Sequence, residues 1–247
     1  MTTAHPRVPR FHVDATLAPG ERLALPGDAA HHASRVLRLR EEDAVALFSG
    51  SGGEYEARIV RISRDAVEVE VGRFSPLERE SSLAVTLVQG ISSGDRMDLT
   101  IQKVVELGVA AIQPVLAERS VVKLKGERVD SRREHWQRVA AAACEQCGRN
   151  RVPSVAAAVP VAAYRAPEGV LKLLLAPGAQ SGLRSIQGGT DRPIVLATGP
   201  EAGFSPREEA LLVAAGFVPV HLGPRVLRTE TAGPAALAAL NALYGDG

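Results

Sequence analysis

Two stretches of this sequence gather residue types that could hold a ligand and act on it. The first is ATGPEAGFS, residues Ala197 to Ser205, between the apolar run Pro193-Ile194-Val195-Leu196 and the helical pattern Ser205-Pro206-Arg207-Glu208-Glu209. A glycine turn between a strand and a helix offers bare backbone N–H groups to a ligand. Phosphate fits this loop badly. There is no G-x-x-x-x-G-K-[ST], Gly199 and Gly203 do not form a G-x-G-x-x-G, and Glu201 puts a carboxylate where an anion would sit. A neutral or cationic ligand suits it better. The second stretch is HLGPRVLRTETAGPAAL. Gly223-Pro224 reads as a turn, Val226 and Leu227 offer two apolar side chains, Arg228 and Glu230 flank Thr229, and Thr231 is placed to cap the last helix. An arginine there can stabilise developing negative charge, and a carboxylate can orient a partner or take a proton. A helix cap alone needs one such residue and leaves the others unexplained.

A third candidate, Cys144-x-x-Cys147, is read as packing and not as chemistry. Zinc needs about four ligands, and no second pair exists. A redox pair belongs at a helix N-terminus, where the dipole lowers the thiol pKa. This one falls near the end of a helix expected over Asp130 to Cys147, on the stripe of Trp136, Val139, Ala140 and Ala143. No metal is expected.

The elements that would position the two loops can be read from texture. Residues 1–73 are mostly β: EYEARIVRI and AVEVEVGRF alternate like half-buried antiparallel strands, joined by Ser63-Arg64-Asp65, and DAVALF precedes the turn SGSGG. One helical interruption, GDAAHHASRVLRL, follows Pro26-Gly27 with Asp28 as its expected N-cap. A small β-barrel with an inserted helix is the natural packing. Residues 74–82 read as a polar linker. Over 83–247, apolar strands (LAVTLVQGI, AAIQPVLA, LKLLLAP, PIVLATG, VPVHLG) alternate with helices, which predicts a mostly parallel sheet in an α/β domain. Ligands bind such sheets outside the carboxyl ends of the strands, and the loops after Leu175, Thr198 and Leu222 fall there.

Bulk properties narrow the partners. The 247 residues carry a formal net charge of +1, with 45% hydrophobic and 23% charged residues, an ordinary globular composition. No apolar run is long enough to cross a membrane and the N-terminus lacks an apolar signal core, so a cytoplasmic protein without a membrane partner is expected. The neutral average hides two basic segments: residues 1–40 hold six arginines against three acids, and 119–151 hold nine basic residues against four. That pattern is compatible with a local nucleic-acid-binding face.

The motif GPEAGFS…LGPRVLRTETA resembles the signature of the SPOUT superfamily of RNA methyltransferases, most of all the family that methylates N3 of a uridine in 16S ribosomal RNA. The resemblance extends over nearly the whole chain. PRFHV and HHASRVLRLR are similar to that family's N-terminal PUA-like domain, and QKVVELGVAAIQPVLAERSVVK and WQRVAAAACEQCGRNRVP to its central block. The family loop usually reads G-P-E-G-G, where this chain has Ala202 as the fourth residue. The resemblance implies a PUA-like β-barrel followed by a SPOUT methyltransferase domain with a deep trefoil knot, a homodimer, S-adenosylmethionine as cofactor, and 16S rRNA of the small subunit as partner. It implies cofactor contacts from Leu175, Thr198, Gly199, Pro200, Glu201, Gly203, Leu222, Gly223, Val226, Leu227, Arg228, Thr231 and Ala232.

For methylation at a uracil N3, Arg228 is the expected stabiliser of charge on the ring oxygens, since guanidinium cannot act as the base. Glu230 is the first candidate for a base or orienting group, and Glu201 the second. RNA contacts are expected from Arg7, Arg10, His32, Arg35, Arg38, Arg119, Arg149 and Arg151. Two other readings keep part of this picture: a ribose 2′-O-methyltransferase acting on tRNA or 23S rRNA, and a non-catalytic RNA-binding protein of ribosome assembly.

Overall fold

The computed structural model describes residues 8–64, 66–122, 126–186 and 192–245. Arg7 and the Asp65 end of the Ser63–Asp65 turn lie outside them. The chain divides into two compact units, one formed by residues up to Glu80 with Cys144–Val152, the other by Ser81–Ala143 with the residues from Pro153 onward.

In the first unit, β1 (Arg10–His12), β2 (Arg22–Ala24), β3 (Ala44–Phe48), β4 (Glu54–Ile62) and β5 (Val67–Ser75) form one sheet in the order β1-β3-β4-β5-β2. The alternation read from sequence is realised. Ala57, Ile59, Val67, Val69 and Val71 are buried and meet Phe11, Leu25 and Leu47 in one core, while Glu56, Glu68 and Glu70 stand outside it. Strands β4 and β5 pair antiparallel, with shifts in register at Tyr55/Ala57 and Ile59/Arg61 that bend the ribbon. The inserted helix differs from expectation. Helix α1 spans only Gly27–His31, and a π-helical turn, His32–Val36, replaces its continuation. Pro26, not Asp28, is the N-cap and no side chain caps it; Asp28 lies in the first turn, where its charge still suits the helix dipole.

In the second unit β6 (Val85–Gly90), α2 (Arg96–Glu106), β7 (Ala111–Leu116), α3 (Glu127–Cys147), β8 (Ser154–Val155), β9 (Val159–Pro160), β10 (Leu171–Leu175), β11 (Ile194–Thr198), α4 (Pro206–Ala214), β12 (Val218–Val220) and α5 (Thr229–Tyr244) follow in turn, the last residues of α3 belonging to the first unit. The sheet runs β12-β10-β11-β6-β7-β8, with β9 also on β7, and every pairing is parallel. Its central strand β11 is buried at every residue, as a parallel strand covered on both faces must be. Helix α2 buries Met97, Thr100, Ile101, Val104 and Val105 at 3.6-residue spacing and packs against α5. Helix α4 starts on a capping box: Ser205 Oγ accepts from the Glu208 N–H, Glu208 accepts from the Ser205 N–H, and Pro206 opens the first turn.

Helix α3 begins at Glu127, earlier than the expected Asp130, and Trp136, Ala140, Ala143 and Cys144 are buried along it. Cys147 is half-buried, and both thiols are free. Burial pushes the Cys144 thiol up to about 12, so it stays protonated and inert. Among the described residues no cluster of metal-ligating side chains occurs, and no helix is long and apolar enough to cross a membrane.

Candidate active site

Four parallel strands end at the same edge of the second unit's sheet, and the loops after β10, β11 and β12 enclose a cavity of about 390 Å3 there, completed by the first turn of α5 and by Arg96 of α2. The floor is backbone. The Gly199–Pro200 peptide lies directly on Gly90, the last residue of β6, where a Cβ would come within 2.5 Å of Pro200 N. Gly199 folds back equally closely: a Cβ there would meet Phe204 N at 2.8 Å and Gly203 Cα at 2.9 Å. Gly203 turns the loop with φ +70°, a conformation that side chains other than glycine resist. Ala202 is not among the residues with positive φ, so the alanine at this place needs no left-handed backbone.

Buried polar groups fix this loop to its neighbours. Gln89 is fully buried; its Nε2 donates to the Gly90 carbonyl at 2.9 Å and to Thr229 Oγ1 at 3.1 Å, and Thr229 Oγ1 donates to the Gly199 carbonyl at 2.9 Å. On the far side, Gly223 takes φ +110° and donates its N–H to His221 Nδ1 at 3.0 Å.

The charged groups form one chain. Glu201 Oε1 accepts from the Ser93 N–H at 2.8 Å, the Ser93 hydroxyl at 2.7 Å and Arg96 Nη1 at 2.9 Å. Partial burial pushes the Glu201 carboxyl up, but these donors outweigh it and hold it down at about 2. A carboxylate so engaged is a poor proton acceptor, which argues against Glu201 as the base. Glu230 lies between two guanidiniums: Arg96 Nε is 3.9 Å from its Oε2 and Arg228 Nη1 is 3.9 Å from its Oε1. Neither distance is a hydrogen bond. Its side chain is only 13% exposed, and Oε2 is buried with no hydrogen-bond partner among the described residues, whereas the Arg228 side chain is 81% exposed.

Of the residues expected around a cofactor, all but Thr231 line this cavity. Helix α5 begins earlier than expected, with Arg228 and not Thr231 at the N-cap position, so Thr231 falls within the first turn as an exposed residue and caps nothing. Sequence reasoning missed Arg96, Ala176, Pro177, Val220, His221, Arg225 and Thr229, which also line it. Most are chain neighbours of expected residues. Arg96 is not, and nothing in its local sequence marks it.

The expected RNA-contacting residues separate by exposure. His32, Arg35 and Arg38 are exposed on and after the π-helical turn, and Arg38 takes a left-handed φ of +54°. Arg119 and Arg151 are exposed as well, with Arg151 3.5 Å from Glu78. Arg10 and Arg149 are turned inward. Arg10 pairs with Glu54, donates to Asn150 Oδ1 at 2.6 Å and lies over the Phe48 ring at 4.9 Å; Arg149 is buried and its Nε donates to Glu80 at 3.0 Å.

A profile described as an RNA methyltransferase domain matches residues 79–241, and one described as an RNA methyltransferase PUA domain matches residues 25–72. The ribosomal RNA small subunit methyltransferase E of Buchnera aphidicola is 31% identical over 242 residues, covering 97% of this chain and 98% of its own. The chain belongs to this RNA methyltransferase family. The expected fold is thereby shown, a PUA-like β domain joined to an α/β domain with a parallel sheet. Among solved structures, the family member from Neisseria gonorrhoeae, a ribosomal RNA small subunit methyltransferase E bound to S-adenosylmethionine, is 40% identical with a TM-score of 0.89 and covers 97% of this chain and 99% of its own. A putative methyltransferase from Legionella pneumophila, also in complex with S-adenosylmethionine, is 38% identical with a TM-score of 0.92 and covers 98% and 100%.

Proposed function

We propose that the protein is an S-adenosylmethionine-dependent methyltransferase acting on N3 of a uridine in 16S rRNA of the small ribosomal subunit. The observation that carries the reading is the cavity at the strand ends, with its bare-backbone floor and a carboxylate between two arginines, in a chain 40% identical to a cofactor-bound rRNA methyltransferase. The cavity residues fit the cofactor. Leu175, Leu222, Val226 and Leu227 give apolar walls for an adenine, Gly199 and Gly203 keep backbone groups accessible, and the partnerless Oε2 of Glu230 suits a cationic or hydrogen-bond-donating ligand. Thr198, Pro200, Glu201, Gly223, Arg228 and Ala232 complete the proposed contacts; Thr231 is left out of them.

S-adenosylmethionine supplies the methyl: a bond forms from uracil N3 to the methyl carbon as the carbon–sulfur bond breaks, the electron pair stays on sulfur, and the N3 proton leaves to solvent. The protein holds the base in line and stabilises the anion that N3 becomes. Arg228, exposed at the cavity rim, is assigned to the ring oxygens, and Glu230 to orienting it. His32, Arg35, Arg38, Arg119 and Arg151 are assigned to RNA phosphates. Arg10 and Arg149, with their donors committed internally, shape the first unit instead.

The reading includes a cytoplasmic homodimer. It is supported by the family resemblance and by Val226, an apolar side chain 78% exposed at the cavity. Sedimentation giving a monomer at micromolar concentration would remove that part. Mass spectrometry of digested 16S rRNA from a deletion strain tests the reaction: one 3-methyluridine should vanish and return on complementation. Loss of a ribose-methylated nucleoside instead would point to 2′-O chemistry. Unchanged rRNA, with no cofactor binding by calorimetry, would leave a non-catalytic RNA-binding protein.

A further inference from the structure

Arg96 is the member of the site that neither glycine loop supplies. It is the first residue of α2, and its nearest carboxylates, Glu201 and Glu230, stand 105 and 134 positions further along the chain. Its Nη1 is fixed from two sides, by Ser93 Oγ at 3.1 Å and Glu201 Oε1 at 2.9 Å. Its Nε faces Glu230 Oε2 at 3.9 Å, and its Nη2 makes no hydrogen bond among the described residues. The side chain is about half exposed and lines two hollows at once, the cavity at the strand ends and a neighbouring surface groove that also carries Asp95, Asp98, Leu99 and Gln102. Among the described residues, Arg96 is the one cation lining that groove. An anionic group reaching the cavity from this side therefore meets Arg96 first, with two aspartates disfavouring a phosphate beside it.

Glu230 sets a relationship between Arg96 and Arg228. One guanidinium faces each oxygen of a single carboxylate at 3.9 Å, and neither is hydrogen-bonded to it. A uracil that loses its N3 proton spreads the charge over O2 and O4, one on each side of N3. A single arginine can serve one of these oxygens closely; two arginines held apart can serve both. Ribose 2′-oxygen chemistry has one oxyanion and gives no use for the pair.

We propose that Arg96 is a second catalytic cation of the site, which with Arg228 flanks O2 and O4 of the deprotonated uracil, while Glu230 acts as the positioning residue between them. The proposal rests on the uracil-N3 reading given above. It places the anchoring of Arg96 on Ser93 and Glu201, so the glycine loop that borders the cofactor cavity also orients a substrate-binding group.

The test uses the full-length protein and small subunits reconstituted on transcripts containing either uridine or 5-fluorouridine, whose N3–H is more acidic. Single-turnover methylation is followed against pH by nucleoside mass spectrometry, with cofactor affinity measured in parallel by calorimetry. Arg96→Gln should lower the rate on uridine about 10²–10³-fold at neutral pH, the typical cost of removing one donor at a developing oxyanion. Its rising pH limb should move to higher pH, and 5-fluorouridine should recover far more of the rate for the variant than for the wild type. Arg96→Lys, which keeps the charge and loses the fork, should lie between them, and it serves as the probe if Arg96→Gln does not fold. A wild-type rate in the variant overturns the proposal. So does a loss that is equal at every pH, unrelieved by 5-fluorouridine and matched by lost cofactor affinity, since that is the pattern of a purely structural arginine. The wild type reports separately on the underlying reading: if it forms no 3-methyluridine on uridine transcripts, the uracil assignment falls whatever Arg96 does.

Discussion

The Thr229 hydroxyl donates to the Gly199 carbonyl at 2.9 Å, tying the first residue of α5 to the glycine loop 30 positions earlier. The same oxygen accepts from the buried Gln89, so three elements depend on one hydroxyl. Thr229→Val keeps the shape and removes both bonds. It leaves buried polar groups unpaired, which typically costs about 1–3 kcal/mol. The expected outcome is a lower melting temperature together with roughly tenfold weaker cofactor binding by calorimetry; weakened stability with unchanged affinity would mean the loop holds its shape without α5.

The two glycines of the loop should fail for different reasons. A Cβ at Gly199 would sit 2.8 Å from Phe204 N, a backbone atom that cannot give way without moving the loop, so Gly199→Ala should abolish measurable cofactor binding. Gly203 has open space around its Cα and only its φ of +70° to lose, a strain of order 1–3 kcal/mol. Gly203→Ala should therefore weaken binding partially, and Gly203→Val more, because a β-branched side chain resists φ > 0 more strongly. Ala202→Gly should change little. Titration of all four variants checks the ranking, and equal affinities for Gly199→Ala and Ala202→Gly would move the cofactor away from this loop.

Glu201 gives a pH prediction whose sign follows from its depressed carboxyl. A group held at about 2 against an ordinary 4.5 contributes stability that is fully present above 4.5 and is lost as the pH falls toward 2. The melting temperature of the wild type should exceed that of Glu201→Gln at neutral pH, and the gap should close on acidification below 4.5. Between pH 6 and 9 the carboxylate stays ionised, so Glu201→Gln should remove no limb of the pH–rate profile, although loosening Arg96 moves the rising limb toward higher pH. A lost limb there would restore Glu201 as the base.

Arg10 and Arg38 look alike in the sequence and should behave differently. Partial burial pushes the Glu54 carboxyl up, and the bond and charge of Arg10, then of Arg79, bring it below the ordinary range. Breaking a buried pair by removing one partner costs about 3–5 kcal/mol, and the low end applies because Arg79 remains. Arg10→Ala should thus lower the melting temperature by several degrees, while Arg38→Ala should leave stability intact, weaken rRNA binding and reduce the salt slope by about one.

What the sequence revealed and what it hid divide along physical lines. Strand alternation in β4 and β5, the apolar run of β11 and the capping box at Ser205 are local patterns, and local patterns read directly. The strand-end edge was legible too, because a parallel sheet leaves ligands few other places. Arg96 was hidden, since DRMDLTIQKVVELG is a complete amphipathic helix on its own and its first residue gains meaning only from carboxylates far along the chain. The start of α5 was misplaced for a related reason. Thr231 reads as the cap in sequence, but the helix starts at Thr229 with Arg228 in the cap position, and Thr229 is buried by its bond to a distant carbonyl. Likewise, nothing nearby says that Arg10 and Arg149 will spend their donors on Glu54 and Glu80.

The last prediction separates chemistry from binding at Arg228. Its guanidinium is almost wholly exposed and only 3.9 Å from one oxygen of Glu230, so it is free to meet a substrate and contributes little to the fold. If it stabilises the developing uracil oxyanion, Arg228→Ala should lower the single-turnover rate about 10²–10³-fold with cofactor and small subunit both saturating. Cofactor affinity should change far less, and the melting temperature hardly at all. Arg228→Lys keeps the charge and loses the planar fork, so it should recover only part of the rate. A wild-type rate for Arg228→Ala under those conditions would reduce Arg228 to a wall of the cofactor cavity, and the charge on the ring oxygens would have to be met by other donors at the same edge.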